Sequence, residues 1–477
     1  MSKTDYVRSE HHEFVEASRQ ALANDGLQTI LQRLGDTLGQ KNQDAFAALP
    51  ESDALRAKAR AIKDATLANL DQHLETLEAS VLRRRGHVHW ASDGAAACDA
   101  IVKIVKNRGG TKVVKSKSMT TEEIHLNQAL DDADITPIET DLGEFIIQLL
   151  EHRPSHIVGP ALHLTKLEVA DVLSKHAGRE LPDQPEQLAA YAREELRGHF
   201  ATADVGITGV NFAVAETGTI TLVTNEGNAR LTTALPPVHI AIMGMEKVIP
   251  KMADLPVFLK ILARAATGQK LSVYTSLCTG SRADAELDGP QEFHLIILDN
   301  GRSDILASPL RESLFCIRCG ACLNACPIYR SVGGHSYGGV YAGPIGAVLT
   351  PLYDGLAENH HLPHASSLCG ACQAACPVKI AIPDMLIQLR EQLHHEPGQF
   401  GFIERTAYKL WAYSMRRPWM YRWGTWLATR TLGRWKRKHP WLARLPLGLS
   451  GWTKSRDFPA PAAERFRDWW KDKERTK

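Results

Sequence analysis

Over the first 85 residues apolar positions recur at helical spacing. Ala and Leu dominate, and LRAKARAIKDATLANLDQHLETLEASVL (residues 55–82) sets an apolar stripe against a polar face, which predicts amphipathic helix. From residue 87 the period changes. HVHWA (87–91) predicts a short strand, Ala95–Lys106 a helix, and TKVVKS (111–116) a second strand. TTEEIHLNQAL is expected to be helical, with Thr120 as N-cap ahead of Glu123. HIVGP (156–160) continues the alternation as another strand, and strand–helix alternation implies a mostly parallel α/β sheet. Beyond Val205 the texture is strand-rich. β-Branched residues alternate around Gly and Asn punctuation, and VHIAIMG (238–244) and HLIILDNG (294–301) predict buried central strands. LRESLF then marks a boundary near residue 303, and GGHSYGGVYAGPIGA (333–347) predicts a loop.

Composition changes this picture in one place. The 477 residues are 44% hydrophobic and 23% charged, ordinary for a soluble chain, and no apolar run reaches the ~18 residues of a membrane span. The net charge of +2 conceals an asymmetry. From Glu404 onward there are 19 Lys and Arg against 6 Asp and Glu, a balance of +13; the rest of the chain carries −11. Nine of the ten tryptophans fall in the same tail: Trp411, Trp419, Trp423, Trp426, Trp435, Trp441, Trp452, Trp469 and Trp470. Tryptophan with Lys and Arg suits either peripheral contact with an anionic membrane or an extension packing on a partner. No nucleic-acid motif accompanies the charge, and no Walker A or G-x-G-x-x-G motif supports nucleotide binding. The polar start MSKTDYVRSEHHEF is unlike an export signal, and sparse reduced cysteines fit the cytoplasm.

The strongest chemistry is in the cysteines. Cys316, Cys319, Cys322 and Cys326, followed by Pro327, spell C-x2-C-x2-C-x3-C-P. Three thiolates at that spacing reach three irons of one [4Fe-4S] cubane, while the fourth serves another cluster when two are present. A degenerate copy follows, Cys369, Cys372, Cys376 and Pro377, with Ser366 where the first cysteine would sit. Gly320 and Gly370 follow the second ligand position of each copy, where a side chain would crowd a cluster. Seven cysteines in two blocks that both end in Cys-Pro argue against one zinc site, and disulfides do not suit a chain without an export signal. The residues therefore predict electron transfer.

The stretch VGITGVNFAVAETGTITLVTNEGNARLTTALPPVHIAIMGMEKVIP, with ETDLGEFIIQL (139–149) and LDNGRS (298–303), resembles the lactate-utilisation protein B family. The resemblance implies an α/β LUD domain, similar in fold to ribose-phosphate isomerases and CoA-transferases. A helical ferredoxin-like two-cluster domain follows it. The implied segments are a helical N-terminal extension over 1–54, the LUD domain over 55–303, the iron–sulfur domain over 304–400 and the basic Trp-rich extension over 401–477. It further implies an L-lactate-oxidising complex with two companion proteins. Matching positions gives Cys316, Cys319, Cys322 and Cys376 to the first [4Fe-4S] cluster and Cys326, Cys369 and Cys372 to the second. That leaves the second cluster one thiolate short, with the Ser366 oxygen available at the vacant position.

Other residues carry weaker signals. Cys98 and Cys278 are read as small buried residues, although Cys278 in TSLCTG could approach the clusters. Glu216, in AETGT, sits where related CoA-transferase folds place a catalytic carboxylate, against the plainer reading of a Glu beside a turn. His239 and His294 in apolar strands are expected to be satisfied core histidines. Asn300 and Arg302 are read as orienting an interdomain loop rather than binding a carboxylate. Three functions compete: an electron-transfer subunit of a lactate-oxidising complex, a self-sufficient catalyst holding substrate in the LUD domain beside an incompletely ligated cluster, and a membrane-recruited scaffold. Whether lactate reduces the clusters, and whether it needs companions to do so, separates them.

Overall fold

The computed structural model describes residues 14–395, 402–435 and 441–445 and, apart from isolated positions, 450–475. Two compact units divide the chain, residues 1–395 and 396–477.

Among the described residues of the first unit, ten strands form two sheets. In chain order they are β1 (His87–Ala91), β2 (Lys112–Lys115), β3 (Thr136–Glu139), β4 (Val205–Gly209), β5 (Phe212–Val214), β6 (Thr219–Thr224), β7 (Val238–Gly244), β8 (Val248–Ile249), β9 (Tyr274–Cys278) and β10 (Glu292–Leu298). The larger sheet has the order β1-β10-β7-β4-β2-β3 and every pairing in it is parallel, as the strand–helix alternation predicts. The smaller sheet, β8-β5-β6-β9, is mixed. All seven residues of β7 are buried, because helices cover both faces of a parallel sheet. Alternation of side chains along β7 and β10 then divides the core. Ile240, Ile242, Ile296 and Leu298 pack against the helix Gly94–Asn107. Ala241, Met243, Phe293, Leu295 and Ile297 join a second core that runs on without a break into the cysteine blocks, including Cys319, Cys322, Cys326, Cys372 and Cys376.

The N-terminal segment folds into α1 (Phe14–Leu22), α2 (Asp25–Ala47), α3 (Ser52–Ala68) and α4 (Leu70–Arg83). The stripe over 55–82 is thus two helices, parted at Asn69, whose φ of −133° and ψ of 40° lie outside the helical range. Elsewhere, side chains that relieve unpaired helical N–H groups set the starts. Asp93 accepts from Ala96 N at 2.8 Å, and Thr165 with Glu168 forms a full capping box.

Three local readings are corrected. Ser118, not Thr120, caps the helix Met119–Glu123, which breaks at His125 (φ 53°) before Leu126–Asp131. HIVGP is not a strand: Ser155 N donates to Pro160 O and Val158 N to His156 Nδ1, so local turn bonds replace a ladder. The Gly-rich run contains a 3-10 turn, His335–Tyr337, and the first turn of the buried helix Gly343–Asp354. Pro344 there takes an early helical position where its missing N–H costs nothing.

The second unit holds helices Phe402–Met415, Pro418–Trp435 and Phe466–Arg475 and a short antiparallel pair, Trp441–Leu442 with Phe458–Pro459. Its described core is small: Leu442, Leu445 and Ala460 with Phe458. Trp411, Trp419, Trp423 and Trp441 are each more than half exposed. The Trp435 side chain and Trp452 lie outside the described residues. No described helix is long and apolar enough to cross a membrane.

Candidate iron–sulfur centre

The two cysteine blocks share one backbone course. Arg318 (φ 58°) and Leu368 (φ 54°) take the left-handed conformation just before Cys319 and Cys369, and Gly320 (φ 74°) and Gly370 (φ 81°) take it just after. Short helices follow, Ala321–Ala325 and Ala371–Ala375, and then Cys326 and Cys376 leave in extended conformation ahead of proline. Left-handed residues on either side of one cysteine turn the chain around a central point, which is what a cysteine loop enclosing a cluster requires. Only glycine adopts such a φ without a Cβ penalty. At Gly320 a Cβ would also stand 3.2 Å from both His156 Cε1 and Val158 Cγ2. The equivalence extends to the degenerate position. Arg318 N donates to Cys316 Sγ at 3.4 Å, and Leu368 N donates to Ser366 Oγ at 3.1 Å. Ser366 therefore points its oxygen into its loop as Cys316 points its sulfur.

Packing of the two short helices against each other brings the blocks together. Cys316, Cys319 and Cys322 line one cavity with Cys376, from the other block, and Ile157, Arg318, Ile345 and Ile380 are among the residues that wall it. Cys326, Cys369 and Cys372 form the second group: Cys369 raises the thiol of Cys326, and both raise that of Cys372. Among the described residues no three such side chains converge on the single point a lone ion would need. The four thiols of the first group ring a space instead.

Burial pushes the thiols up. Cys322 is raised well above the usual thiol range by burial and then by Cys316, Cys319 and Cys376, and Cys372 is pushed to about 11 by burial and then by Cys326. Cys376 is carried to about 12 by burial, against the opposing N–H groups of Ile380 and Val378. Cys369 differs: it is exposed, and the Ala371 N–H and then the Ser367 hydroxyl hold its thiol below the usual value. Thiols raised by burial ionise against positive charge, and iron bound among them would supply it. The donor set fits a cluster.

The N-terminal helices fasten the second block. Arg56 of α3 donates to Cys376 O (2.7 Å) and Ala374 O (2.6 Å), and Arg60 to Lys379 O (2.5 Å) and Glu312 Oε1 (2.6 Å). A buried charge network lies on the other side. Arg302 forks onto Glu123 at 2.8 and 2.9 Å and donates through Nε to Glu246 at 2.6 Å. Tyr341 and Asn300 also donate to Glu123, at 2.6 and 2.8 Å. Arg302 stacks over Tyr353 and Arg318 over Tyr341. Burial alone would raise the Glu246 carboxyl, but Arg302, Lys247 and Arg318 outweigh it and hold it at about 2. Asn300 and Arg302 thus join internal groups from both sides of residue 303 within one compact unit.

The remaining candidates are apart from the thiol groups. Cys98 is buried in the helix Gly94–Asn107 and donates to Ile124 O; Cys278 ends β9 opposite Ile220 and is half-buried rather than buried. Glu216 accepts from Met252 N at 2.9 Å beside its turn. His239 pairs with Thr208 at 2.8 Å, a satisfied core histidine, and His294 pairs with His89 at 3.0 Å. Sequence reasoning missed Lys63, Lys117, Glu123, Glu246, Lys247 and Arg318, all with buried charged ends. For Lys117, Glu246 and Lys247 the signal is a charged residue just after an apolar strand, as in KVVKSKS and VHIAIMGMEK.

Comparison with known proteins places three families along the chain. The LUD domain matches residues 74–298, a 4Fe-4S dicluster domain residues 312–380, and the C-terminal region of lactate utilisation protein B residues 388–475. Lactate utilization protein B of Anoxybacillus flavithermus is 44% identical over 462 residues, covering 97% of this chain and 98% of its own. The Oceanobacillus iheyensis protein of that name is 48% identical over 412 residues, 86% of each chain, and that of Geobacillus kaustophilus 44% over 470 residues, 98% of each. Among solved structures, a DUF162 family protein from Deinococcus radiodurans matches 48% of this chain and 98% of its own at 16% identity and a TM-score of 0.26, too low to support an argument about fold.

Proposed function

Because the chain belongs to the lactate utilization protein B family, we propose that it is the iron–sulfur electron-transfer subunit of a system oxidising L-lactate to pyruvate. The observation that carries this is the gathering of Cys316, Cys319, Cys322 and Cys376 around one cavity, with Cys326, Cys369 and Cys372 beside them. The first four would hold one [4Fe-4S] cluster and the other three a second, with Ser366 Oγ at its fourth corner. Each cluster, when bound, accepts and releases one electron, so a pair suits the two electrons of lactate oxidation taken in steps.

The chain's own residues set the surroundings. Ile157, Ile345 and Ile380 exclude water from the first site, and backbone N–H groups donate to Cys316 and Cys376 sulfur. Both features tune a cluster's potential. The exposed Cys369 puts the second site at the surface, where a partner could exchange electrons with it. Two companion lactate-utilisation proteins would supply the oxidation step and the onward acceptor. The protein would act in the cytoplasm, with its basic tail making peripheral contact at the inner face of the membrane.

The test is reduction of the clusters by substrate. Anaerobically purified protein, mixed with L-lactate, should keep its oxidised absorbance alone and bleach when both companions are added, with a paramagnetic signal from reduced clusters. No bleaching with companions present would overturn the proposal. Bleaching by lactate without them would favour a chain that binds and oxidises substrate itself.

A further inference from the structure

The order β1-β10-β7-β4-β2-β3 has one place where the chain's direction of travel reverses. From β2 the connection runs outward to β3; the chain then returns to β4 and proceeds through β7 to β10. In open parallel sheets a crevice forms beyond the C-terminal ends of strands at such a point, because the flanking connections leave in opposite directions. Here a pocket of about 390 Å³ opens there, a usual size for a small-molecule site. Residues just after three neighbouring strands line it: Ser116 and Lys117 after β2, Val210 and Asn211 after β4, and Lys247 after β7.

Its charges are unusual. Lys117 Nζ is buried without a hydrogen-bond partner, as is Nη1 of Arg318, whose side chain is only 9% exposed. Lys247 is 8% exposed. Buried donors left unpaired cost free energy, so cations held this way in a cavity wall are arranged for an anion that arrives from outside. Asp141 and Glu226 also line the pocket. With these carboxylates beside its cations, the pocket suits a singly charged carboxylate better than a phosphate dianion. Ile157 and Arg318 belong both to this pocket and to the cavity of Cys316, Cys319, Cys322 and Cys376, so the two share a wall.

We propose that this pocket binds a small monocarboxylate, such as a 2-hydroxy or 2-oxo acid, through Lys117, Lys247 and Arg318, beside the first cluster site. The pocket stands on geometry alone; choosing L-lactate and pyruvate as probes rests on the proposed role in lactate oxidation.

Equilibrium dialysis of the full cluster-loaded chain, without companions and under anaerobic conditions, should show saturable binding of radiolabelled pyruvate or L-lactate. Lys117→Gln and Lys247→Gln should each weaken it about tenfold or more, the worth of one charge-assisted contact, with iron content unchanged. In dithionite-reduced wild-type protein the pyruvate methyl resonance should broaden beyond that seen with oxidised protein, because the bound acid lies next to a paramagnetic cluster; this reading needs no variant. Absence of binding by either acid, binding untouched by both substitutions, or a methyl resonance that does not respond to reduction would each overturn the proposal. Inorganic phosphate binding where the acids do not would overturn the ligand class. Since no turnover is involved, failure here leaves the companion-dependent reduction assay standing, and failure of that assay leaves this one.

Discussion

A thiol buried among other thiols stays protonated unless positive charge offsets it, and Cys376 shows the consequence. It lies sixty residues from Cys316 yet shares its cavity. Cys376→Ala should therefore impair the first cluster, read as loss of its signal in electron paramagnetic resonance, while the second persists; loss of the second cluster alone would contradict crossed ligation. At the proposed second site an iron held by the Ser366 oxygen, in place of a thiolate, would be the one to leave first. Brief air exposure should yield a three-iron signal, which Cys326→Ala abolishes and Ser366→Cys suppresses. A three-iron signal of equal size in Ser366→Cys would remove Ser366 from that corner. The seven cysteines that the fold gathers were legible in the sequence because cluster spacing constrains cysteine so tightly. Lys117, Lys247 and Arg318 were not, since a buried cation and a surface one are spelled alike until the fold buries one of them.

Among elements, the contacts between segments matter most. The network around Arg302 joins β10's exit, the helix Met119–Glu123 and the helix Gly343–Asp354, and it does so with charges that would be costly alone. Arg302→Met should destabilise the chain by about 3–5 kcal/mol, since it leaves Glu123 and Glu246 buried without their main partner. Urea unfolding followed anaerobically by circular dichroism measures this; a cost under about 1 kcal/mol would mean the carboxylates find other partners or water. Strands such as VHIAIMG were legible because full burial of a parallel strand demands an apolar run. HIVGP misled for a related reason. Ile157 is buried against the first cysteine block and His156 is bonded to Asn324 at 3.1 Å, so burial without a ladder looks like a strand in sequence. The split at Asn69 was hidden because the helical period continues across it.

For the whole molecule, charge and tryptophan separate the tail from the rest. The +13 balance from Glu404 onward contrasts with −11 in the remainder, and four tryptophans of the tail are more than half exposed. A chain ending at Gln399 should keep its cluster absorbance but lose binding to anionic vesicles or to its companions. Vesicle binding of the intact chain should weaken between low and physiological salt, where screening acts over ~8 Å. Unchanged co-sedimentation with both after truncation would leave the tryptophans as packing residues. The account as a whole depends on two clusters rather than one. Iron and sulfide quantitation on anaerobically isolated protein, paired with Mössbauer spectroscopy, tests that most directly. The expected result is roughly eight irons per chain, all in four-iron centres; roughly four would contradict it.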